Sequence, residues 1–243
     1  MPLAHRGGAL LSENIGIENT MEAFQNAVKL GFEYIESDVQ ASRDGEIFCF
    51  HDDDLARLIG RTGRFIDFHS TEIKEALVGG KATIPTLDEV FETFTDIKFN
   101  IDLKHPATIE GTIERIRKHN ATDRVVLASF SHATLTRARQ LAPEISTSFS
   151  VREAALLKFG LAKRATAGGG IAAQVPLRRN GIPVVTKRFV RRAQKHGVQV
   201  HVWTIDNYHE MHKLLDLGVD GLVSDQIDVL KSVLIEREQW RQE

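Results

Sequence analysis

The stretch NTMEAFQNAVKLGFEYIESDVQ, residues 19–40, contains the pattern of one helix followed by one strand. Asn19 or Thr20 suits the N-cap of the helix, and Gly31 suits its C-terminal end. The apolar positions between them recur every three or four residues, as on one helix face: Ala23, Phe24, Ala27 and Val28. The apolar run that follows predicts a strand at Glu33–Gln40.

The same alternation of short apolar runs and amphipathic stretches extends along the chain, and Ser131 and Asn207 are placed to cap two further helices. Repeated βα units of this kind predict a parallel sheet. In 243 residues they fit a single α/β domain, residues 1–243, folded as a (β/α)8 TIM barrel. The eight predicted strands are Pro2–His5, Glu33–Gln40, Lys98–Leu103, Val125–Ser129, Ile145–Ser150, Gly170–Val175, Val198–Thr204 and Val219–Ser224.

Two segments interrupt this alternation. The polar text DDDLARLIGRTGRF lies within His51 to Ile84, which is too long for a plain βα loop. It predicts a small insertion after the second strand, at about residues 52–84, near the barrel mouth. The second segment is ATAGGG, Ala165 to Gly170, which predicts a flexible lead into the sixth strand. Each segment is either functional or a solvated connection.

Composition limits the possible partners and compartments. A formal charge of -2 and a pI near 6.6 provide no overall basic field for nucleic acid. The single cysteine, Cys49, excludes an intrachain disulfide framework and is consistent with a reducing compartment. No run of 18 apolar residues spans a bilayer, and the start MPLAHRGG lacks the features of a signal peptide. We therefore expect a cytoplasmic protein without stable membrane anchoring; its oligomeric state is left open.

Carboxylates occur at the ends of two predicted barrel strands, where the active site of such a barrel lies. Glu36 and Asp38 are two residues apart and so project to one face, about 7 Å apart along the strand. Asp102 ends the next strand of the predicted barrel. Carboxylates that converge in an apolar barrel repel one another unless they are protonated or neutralised. The simplest resolution is one divalent cation that prefers oxygen ligands, Mg²⁺ or Ca²⁺.

Histidines and cations accompany these carboxylates. His5 ends the first strand and His51 follows the apolar run IFCF, and two imidazoles suit the base and the acid of phosphodiester cleavage. Arg6 and Lys104 suit phosphate oxygens. Each of these residues taken alone is more simply a structural or surface residue. Their occurrence together at successive strand ends, with Gln174 and Trp203 at two others, favours a catalytic site.

The sequence closely resembles the glycerophosphodiester phosphodiesterase family over nearly its whole length. The matching segments, in order, are HRG at His5–Gly7, ENT at Glu18–Thr20, ESDVQASRDGEIFCFHD at Glu36–Asp52, NIDLK at Asn100–Lys104, QVP from Gln174 and VWT from Val202, with GVDGLVSD near the end. Their shared order and spacing make the resemblance specific.

The resemblance implies metal-dependent hydrolysis of glycerophosphodiesters, small molecules, to sn-glycerol 3-phosphate and an alcohol. It implies catalytic roles for His5 and His51, and one cation held by Glu36, Asp38 and Asp102. Asp102 is one methylene shorter than the glutamate of the usual NIELK, which implies ligation through water or a shifted cation. The other implied roles are phosphate contacts from Arg6 and Lys104, substrate contacts from Gln174, an aromatic wall from Trp203 and Phe130, and structural support from Glu18 and Asn19.

The implied reaction begins with attack of the glycerol 2-hydroxyl on phosphorus. One histidine accepts the hydroxyl proton and the other protonates the leaving alcohol, after which water opens the cyclic phosphate. His51 as base and His5 as acid is the preferred assignment. Two alternatives stay open: a lysophospholipase D-like phosphodiesterase, which would need an apolar mouth, and a barrel that binds glycerophosphodiesters without catalysis.

Overall fold

The computed structural model describes residues 1–240, in which strands and helices alternate as predicted. The strands are Pro2–His5 (β1), Tyr34–Ala41 (β2), Ile47–Cys49 (β3), Leu77–Val78 (β4), Ala82–Thr83 (β5), Lys98–Leu103 (β6), Val125–Ala128 (β7), Ser146–Thr147 (β8), Ala172–Pro176 (β9), Arg178–Arg179 (β10), Ile182–Pro183 (β11), Gln199–Trp203 (β12) and Gly221–Ser224 (β13).

The α-helices are Met21–Lys29 (α1), Ala56–Ile59 (α2), Ser70–Lys74 (α3), Leu87–Thr93 (α4), Ile109–Lys118 (α5), His132–Leu141 (α6), Val151–Lys158 (α7), Ala162–Thr166 (α8), Lys187–Lys195 (α9), Tyr208–Asp216 (α10) and Ile227–Glu236 (α11). Short 3-10 helices lie at Ser12–Asn14, Phe65–Asp67, Pro106–Thr108 and Thr122–Arg124. Three predicted N-caps are confirmed: the side chains of Thr20, Ser131 and Asn207 accept backbone N–H bonds at the starts of α1, α6 and α10.

Eight parallel strands form a nearly closed barrel, as predicted. Around the barrel the order is β1, β2, β6, β7, β8, β9, β12 and β13, and β13 pairs with β1. Between β8 and β9 the ring is joined by an isolated bridge from Ser148 to Ala172. The backbone N–H groups of Phe149 and Ile171 also donate across this junction, to Ala172 (2.7 Å) and Thr147 (2.9 Å). Strand pairing is therefore least continuous at this junction of the barrel.

The predicted fifth strand, Ile145–Ser150, is too long, because β8 contains only Ser146 and Thr147. The reason is local: Ser150 and Glu153 form a capping box that starts α7, so the chain leaves the strand early. The flexible lead predicted at Ala165–Gly170 is also corrected. Part of it belongs to α8, and Gly168 and Gly170 are closely packed, since a Cβ atom placed on Gly168 would lie 2.3 Å from Glu153 Oε1 and one on Gly170 would lie 2.6 Å from Phe149.

The insertion predicted at about residues 52–84 is present and has its own small core. It contains α2, α3 and the β4–β5 hairpin, and β3 joins it to the barrel by antiparallel pairing with β2. Its apolar side chains cluster away from solvent together with Phe48 and Phe50, which precede it: Leu55, Phe65, Ile73, Val78 and Ile84. The apolar residues of the insertion therefore stabilise the fold of the insertion itself. Across residues 1–240, no helix has both the length and the apolar content to span a membrane.

The turn after β1 requires glycine at residue 7. Gly7 has φ +84°, and a Cβ atom there would lie 2.9 Å from the backbone carbon of Ala23. Gly16 has a similar φ, +80°, but an added Cβ atom meets nothing within 4 Å. The turn therefore packs directly against α1, and this contact fixes the position of the residues that precede Gly7.

Two alanine substitutions separate backbone strain from this close contact. Gly16→Ala is expected to lower the free energy of unfolding by about 1–2 kcal/mol, through left-handed strain alone. Gly7→Ala adds overpacking that costs about 1–3 kcal/mol more. Urea denaturation of both variants measures the difference. Equal losses would show that α1 yields to the added methyl group.

Candidate active site

A pocket of about 760 Å³ opens at the carboxyl ends of the barrel strands. Every residue that the sequence predicts for catalysis, metal binding or substrate binding lines it: His5, Arg6, Glu36, Asp38, His51, Asp102, Lys104, Phe130, Gln174 and Trp203. Glu18 and Asn19 lie behind this lining, in contact with Arg6 and Asp38. The structure thus brings together residues that are spread over about 200 positions of the chain.

Strand register explains this convergence. Asp38 of β2 lies opposite Asp102 of β6, and Glu36 of β2 lies opposite His5 of β1. Alternate residues of a strand project to the same side, so Glu36 and Asp38 both point into the barrel mouth. Parallel pairing with the two neighbouring strands then places His5 beside Glu36 and Asp102 beside Asp38.

His5 is held between two carboxylates. Its Nδ1 lies 2.7 Å from Oδ1 of Asp225, and its Nε2 lies 3.7 Å from Oε2 of Glu36. An ionised carboxylate only accepts hydrogen bonds, so Nδ1 carries the proton that is shared with Asp225. Burial lowers the pKa of His5, but the negative charges of Glu36 and Asp225 outweigh it and raise the pKa above its ordinary value. This environment favours a protonated imidazole.

His51 reaches the site because β3 turns back beside β2. The backbone N–H of Phe50 donates to the carbonyl of Asp38 (3.0 Å), which brings the next residue, His51, to the pocket. The Nδ1 of His51 lies 2.6 Å from Oδ1 of Asp52, so its Nε2 is the nitrogen left for other chemistry. In both histidines, therefore, Nδ1 forms a hydrogen bond with a carboxylate.

Arg57 of the insertion ties this second histidine to the first strand. Its guanidinium donates to Asp52 (2.7 Å) and to Glu18 (2.6 Å). Glu18 also accepts a 2.8 Å bond from Arg6. One chain of charge-assisted hydrogen bonds thus joins His51 to Arg6 through the insertion.

The three predicted carboxylates are buried and unequally neutralised. Lys104 Nζ lies 2.6 Å from Asp38 and 2.7 Å from Asp102. Burial raises the pKa of Asp38, but Lys104, Arg6 and His51 outweigh it and hold the pKa below its usual range. Burial raises the pKa of Asp102. Burial, and then the charge of Asp38, raise the pKa of Glu36 to about 7. The cationic side chains of the site therefore compensate the charge of Asp38 more fully than that of Glu36.

Arg6 and Asn19 orient Asp38, and both have left-handed backbone conformations, with φ +51° and +58°. The side-chain amide of Asn19 donates to Asp38 Oδ2 (3.0 Å) and accepts from the hydroxyl of Ser37 (2.8 Å). Arg6 Nε lies 3.3 Å from the same Oδ2 and, within residues 1–240, is buried without a hydrogen-bond partner. Strain held at these positions is consistent with a functional site.

The far end of the pocket is apolar and aromatic. Phe130 and Trp203 meet edge to face, with ring centroids 5.5 Å apart. Beyond them the lining continues over α7 and the β10–β11 hairpin, through Phe149, Val151, Ala154, Phe159, Ile182 and Val184. The pocket therefore has a charged end near β1, β2 and β6, and opposite it a wall of apolar side chains that also contains Lys158, Arg178 and Arg179.

Three residues of the site were not predicted. Asp225 follows β13, 220 positions from the histidine that it contacts, and only a barrel that closes between β13 and β1 brings them together. Arg57 lies in the insertion, where it has the pattern of a surface arginine. Asn100 accepts a 2.8 Å hydrogen bond from the predicted Gln174. Asn100 is two residues before Asp102 on the same strand, so strand alternation already predicts that its side chain points into the barrel.

A second group of candidate metal ligands lies on α4 and α5, away from the pocket. Ligand atoms of Asp88, Glu92 and His119 lie within 4.8 Å of one another. Asp88 already contacts Lys118 (2.7 Å) and His119 (2.6 Å), so its charge is compensated. The pocket carboxylates do not meet the same distance condition in the described residues, since Lys104 lies between Asp38 and Asp102.

Comparison with known proteins identifies related sequences and structures. The model of the glycerophosphoryl diester phosphodiesterase family matches residues 5–229. A probable glycerophosphodiester phosphodiesterase 2 of Mycobacterium tuberculosis is 39% identical, with 98% of this chain and 92% of that protein covered. A glycerophosphodiester phosphodiesterase of Caldanaerobacter subterraneus is 33% identical, with 94% and 95% covered.

Among solved structures, an Oleispira antarctica phosphodiesterase in complex with the product sn-glycerol-3-phosphate has the same fold. It superposes with a TM-score of 0.83 at 24% identity, over 97% of this chain and 96% of that one. The barrel that the sequence predicts is therefore also the fold of this solved structure.

Proposed function

The chain belongs to the glycerophosphodiester phosphodiesterase family and is an enzyme of that family, and we propose that it hydrolyses glycerophosphodiesters to sn-glycerol 3-phosphate and an alcohol by metal-dependent catalysis between His5 and His51. The observation that carries the mechanism is the pair of histidines at one pocket, each with Nδ1 against a carboxylate and no hydrogen bond from Nε2 within the described residues. A barrel that only binds its ligand would have no need of this arrangement.

Mg²⁺ or Ca²⁺ fits the donor set of the pocket. Glu36, Asp38 and Asp102 supply oxygen atoms, the ligands that hard cations prefer. Burial, and then Asp38, raise the pKa of Glu36 to about 7, so its ionised form would be stabilised by added positive charge. A cation bound here would supply positive charge to a phosphate oxygen and to the nucleophile.

The histidines divide the two proton transfers. His51 accepts the proton of the glycerol 2-hydroxyl, and the resulting oxygen attacks phosphorus. The bond from phosphorus to the head-group oxygen breaks, and His5 donates its proton to that oxygen. The raised pKa of His5 supports its assignment as the acid. Water then opens the cyclic phosphate with the roles reversed.

Other residues of the pocket bind and position the substrate. Arg6 and Lys104 would contact phosphate oxygens, because both place cationic nitrogens in the pocket. Trp203 and Phe130 would contact the glycerol and the head group through their rings, and Gln174 would provide a polar contact. Glu18 and Asn19 act indirectly, since they hold Arg6 and Asp38 through hydrogen bonds.

A lysophospholipid is the second candidate substrate. The apolar wall of the pocket is the observation that supports it. The apolar mouth that such a substrate needs is absent from the insertion, where Leu55 and Phe65 are fully buried. The apolar wall comes instead from α7 and the β10–β11 hairpin, where Phe159 and Ile182 line the pocket and are largely exposed. An acyl chain could lie along this wall.

We also propose that residues 1–243 act as one cytoplasmic domain. One apolar cluster that extends over barrel strands and surrounding helices supports the single domain, and the buried, free Cys49 supports a reducing compartment. Residues 241–243 lie outside the described part of the chain.

A coupled assay for glycerol 3-phosphate tests the proposal across a head-group panel. Release is expected from glycerophosphocholine, glycerophosphoethanolamine or a related diester with Mg²⁺, Ca²⁺ or Mn²⁺, and none in excess chelator. Choline release from lysophosphatidylcholine tests the second candidate, because cleavage of that substrate yields an acylated glycerol phosphate that the glycerol 3-phosphate assay does not detect. Full turnover in chelator would refute the metal dependence, and no release from any diester would refute the substrate class.

A further inference from the structure

The near-neutral charge of the whole chain hides a strongly basic region. Residues 151–195 contain 11 of the 31 lysines and arginines but only one of the 33 acidic residues, Glu153. That single carboxylate is already paired with Arg139, at 2.6 Å. In the described part of the chain, none of the 11 cations forms an ion pair with a carboxylate. The region therefore concentrates positive charge that its own carboxylates and the ion pairs of the described residues do not neutralise.

Contacts join the parts of this region at the mouth of the pocket. Lys158, at the end of α7, donates to the carbonyl of Pro183 in the β10–β11 hairpin, at 2.9 Å. Arg192 of α9 donates to the carbonyl of Leu157, at 2.8 Å. Five of the pocket-lining residues at the end of α7 and in the hairpin are called the mouth face below: Lys158, Phe159, Arg178, Arg179 and Ile182.

Large apolar side chains project between the cations of the mouth face. Phe159 is 79% exposed and Ile182 is 61% exposed, and Leu161, just beyond, is 45% exposed. A phenylalanine left this far in water forgoes the stabilisation that burial of its ring would give, about 1.5–3 kcal/mol. Exposed apolar residues beside an enzyme pocket and rimmed by cations mark an interaction surface.

We propose that the mouth face binds the surface of an anionic lipid bilayer, reversibly and without any membrane-spanning segment. Arg178 and Arg179 would lie against lipid phosphates, while Phe159 and Ile182 would enter the boundary between head groups and acyl chains. The pocket would then open toward the membrane. Nucleic acid fits less well, because an exposed isoleucine finds no favourable contact with phosphate or sugar.

Sedimentation with vesicles tests the proposal independently of catalysis. The purified protein is expected to bind vesicles that contain phosphatidylglycerol much more tightly than vesicles of phosphatidylcholine alone, and to dissociate at high salt. Removal of two interfacial cations in the double variant Arg178→Glu/Arg179→Glu is expected to weaken binding roughly 30-fold or more. Phe159→Ser/Ile182→Ser should weaken it roughly tenfold, by removal of buried apolar area.

The matched control is Lys29→Glu/Lys74→Glu, which makes the same charge change at exposed cations of α1 and α3 that do not line the pocket. It is expected to retain binding within about threefold, and thermal unfolding checks the fold of all three variants. The proposal is overturned by equal binding to both vesicle types, by equal losses in the control, or by preference for single-stranded DNA over anionic vesicles.

Discussion

Alanine at His5 or His51 is expected to lower kcat by roughly 10² to 10⁴ with much smaller changes in KM, because each ring moves a proton in the chemical step. The losses in the double variant should not add, since neither transfer is useful without the other. His209→Ala, at an exposed position on α10 outside the pocket, is the control and should retain full activity. Steady-state kinetics with a choline diester measure these effects.

A substrate with a good leaving group distinguishes the two histidines. A glycerol phosphate ester of p-nitrophenol releases a phenolate that needs little protonation, so loss of the acid costs far less there than with choline. Loss of the base costs about the same on both substrates. We expect His5→Ala to be rescued and His51→Ala not to be. If neither is rescued and both mainly raise KM, the histidines bind substrate and do not transfer protons.

Glu36→Gln is expected to lower kcat/KM by roughly 10³-fold, because it removes a charged metal ligand with little change in side-chain volume. Calorimetric titration with Mg²⁺ or Ca²⁺ should show loss of binding, which provides a readout that does not depend on turnover. Native circular dichroism would show that the fold persists. Asp88→Asn removes a carboxylate from the candidate cluster on α4 and α5, so it should leave both activity and pocket metal binding intact. The reverse pattern would place the essential ion at Asp88 and refute the assignment of Glu36.

The barrel was predictable because its evidence is local. Caps at Thr20 and Ser131 and short strand patterns such as KFNIDL at Lys98–Leu103 each indicate one element, and the alternation of helices and strands predicts the parallel barrel. Strand ends then indicate where the polar residues meet. The candidate site follows the same logic, because Glu36, Asp38 and Asp102 are related by strand periodicity and by the parallel register of β2 and β6.

The unpredicted parts depend on long-range geometry. Asp225 joins His5 only through closure of the barrel, and Arg57 reaches Glu18 only because the insertion folds back over the first loop. The β10–β11 hairpin consists of two-residue strands with no periodicity to detect. Net charge also gives no indication of how charge is distributed: the total is -2, although 11 of the 31 lysines and arginines lie in residues 151–195. Only the folded arrangement shows that three of them, Lys158, Arg178 and Arg179, border the pocket.

Phosphorus NMR of glycerophosphocholine hydrolysis is the most direct test of the account, because it identifies the bond that breaks and the product that forms. With Mg²⁺ or Ca²⁺ the wild-type enzyme should convert the diester signal to that of glycerol phosphate, without phosphocholine. The His5→Ala/His51→Ala variant should leave the diester signal unchanged over the same time. Appearance of phosphocholine, or of glycerol phosphate at the wild-type rate in the double variant, would contradict the reaction proposed for this pocket.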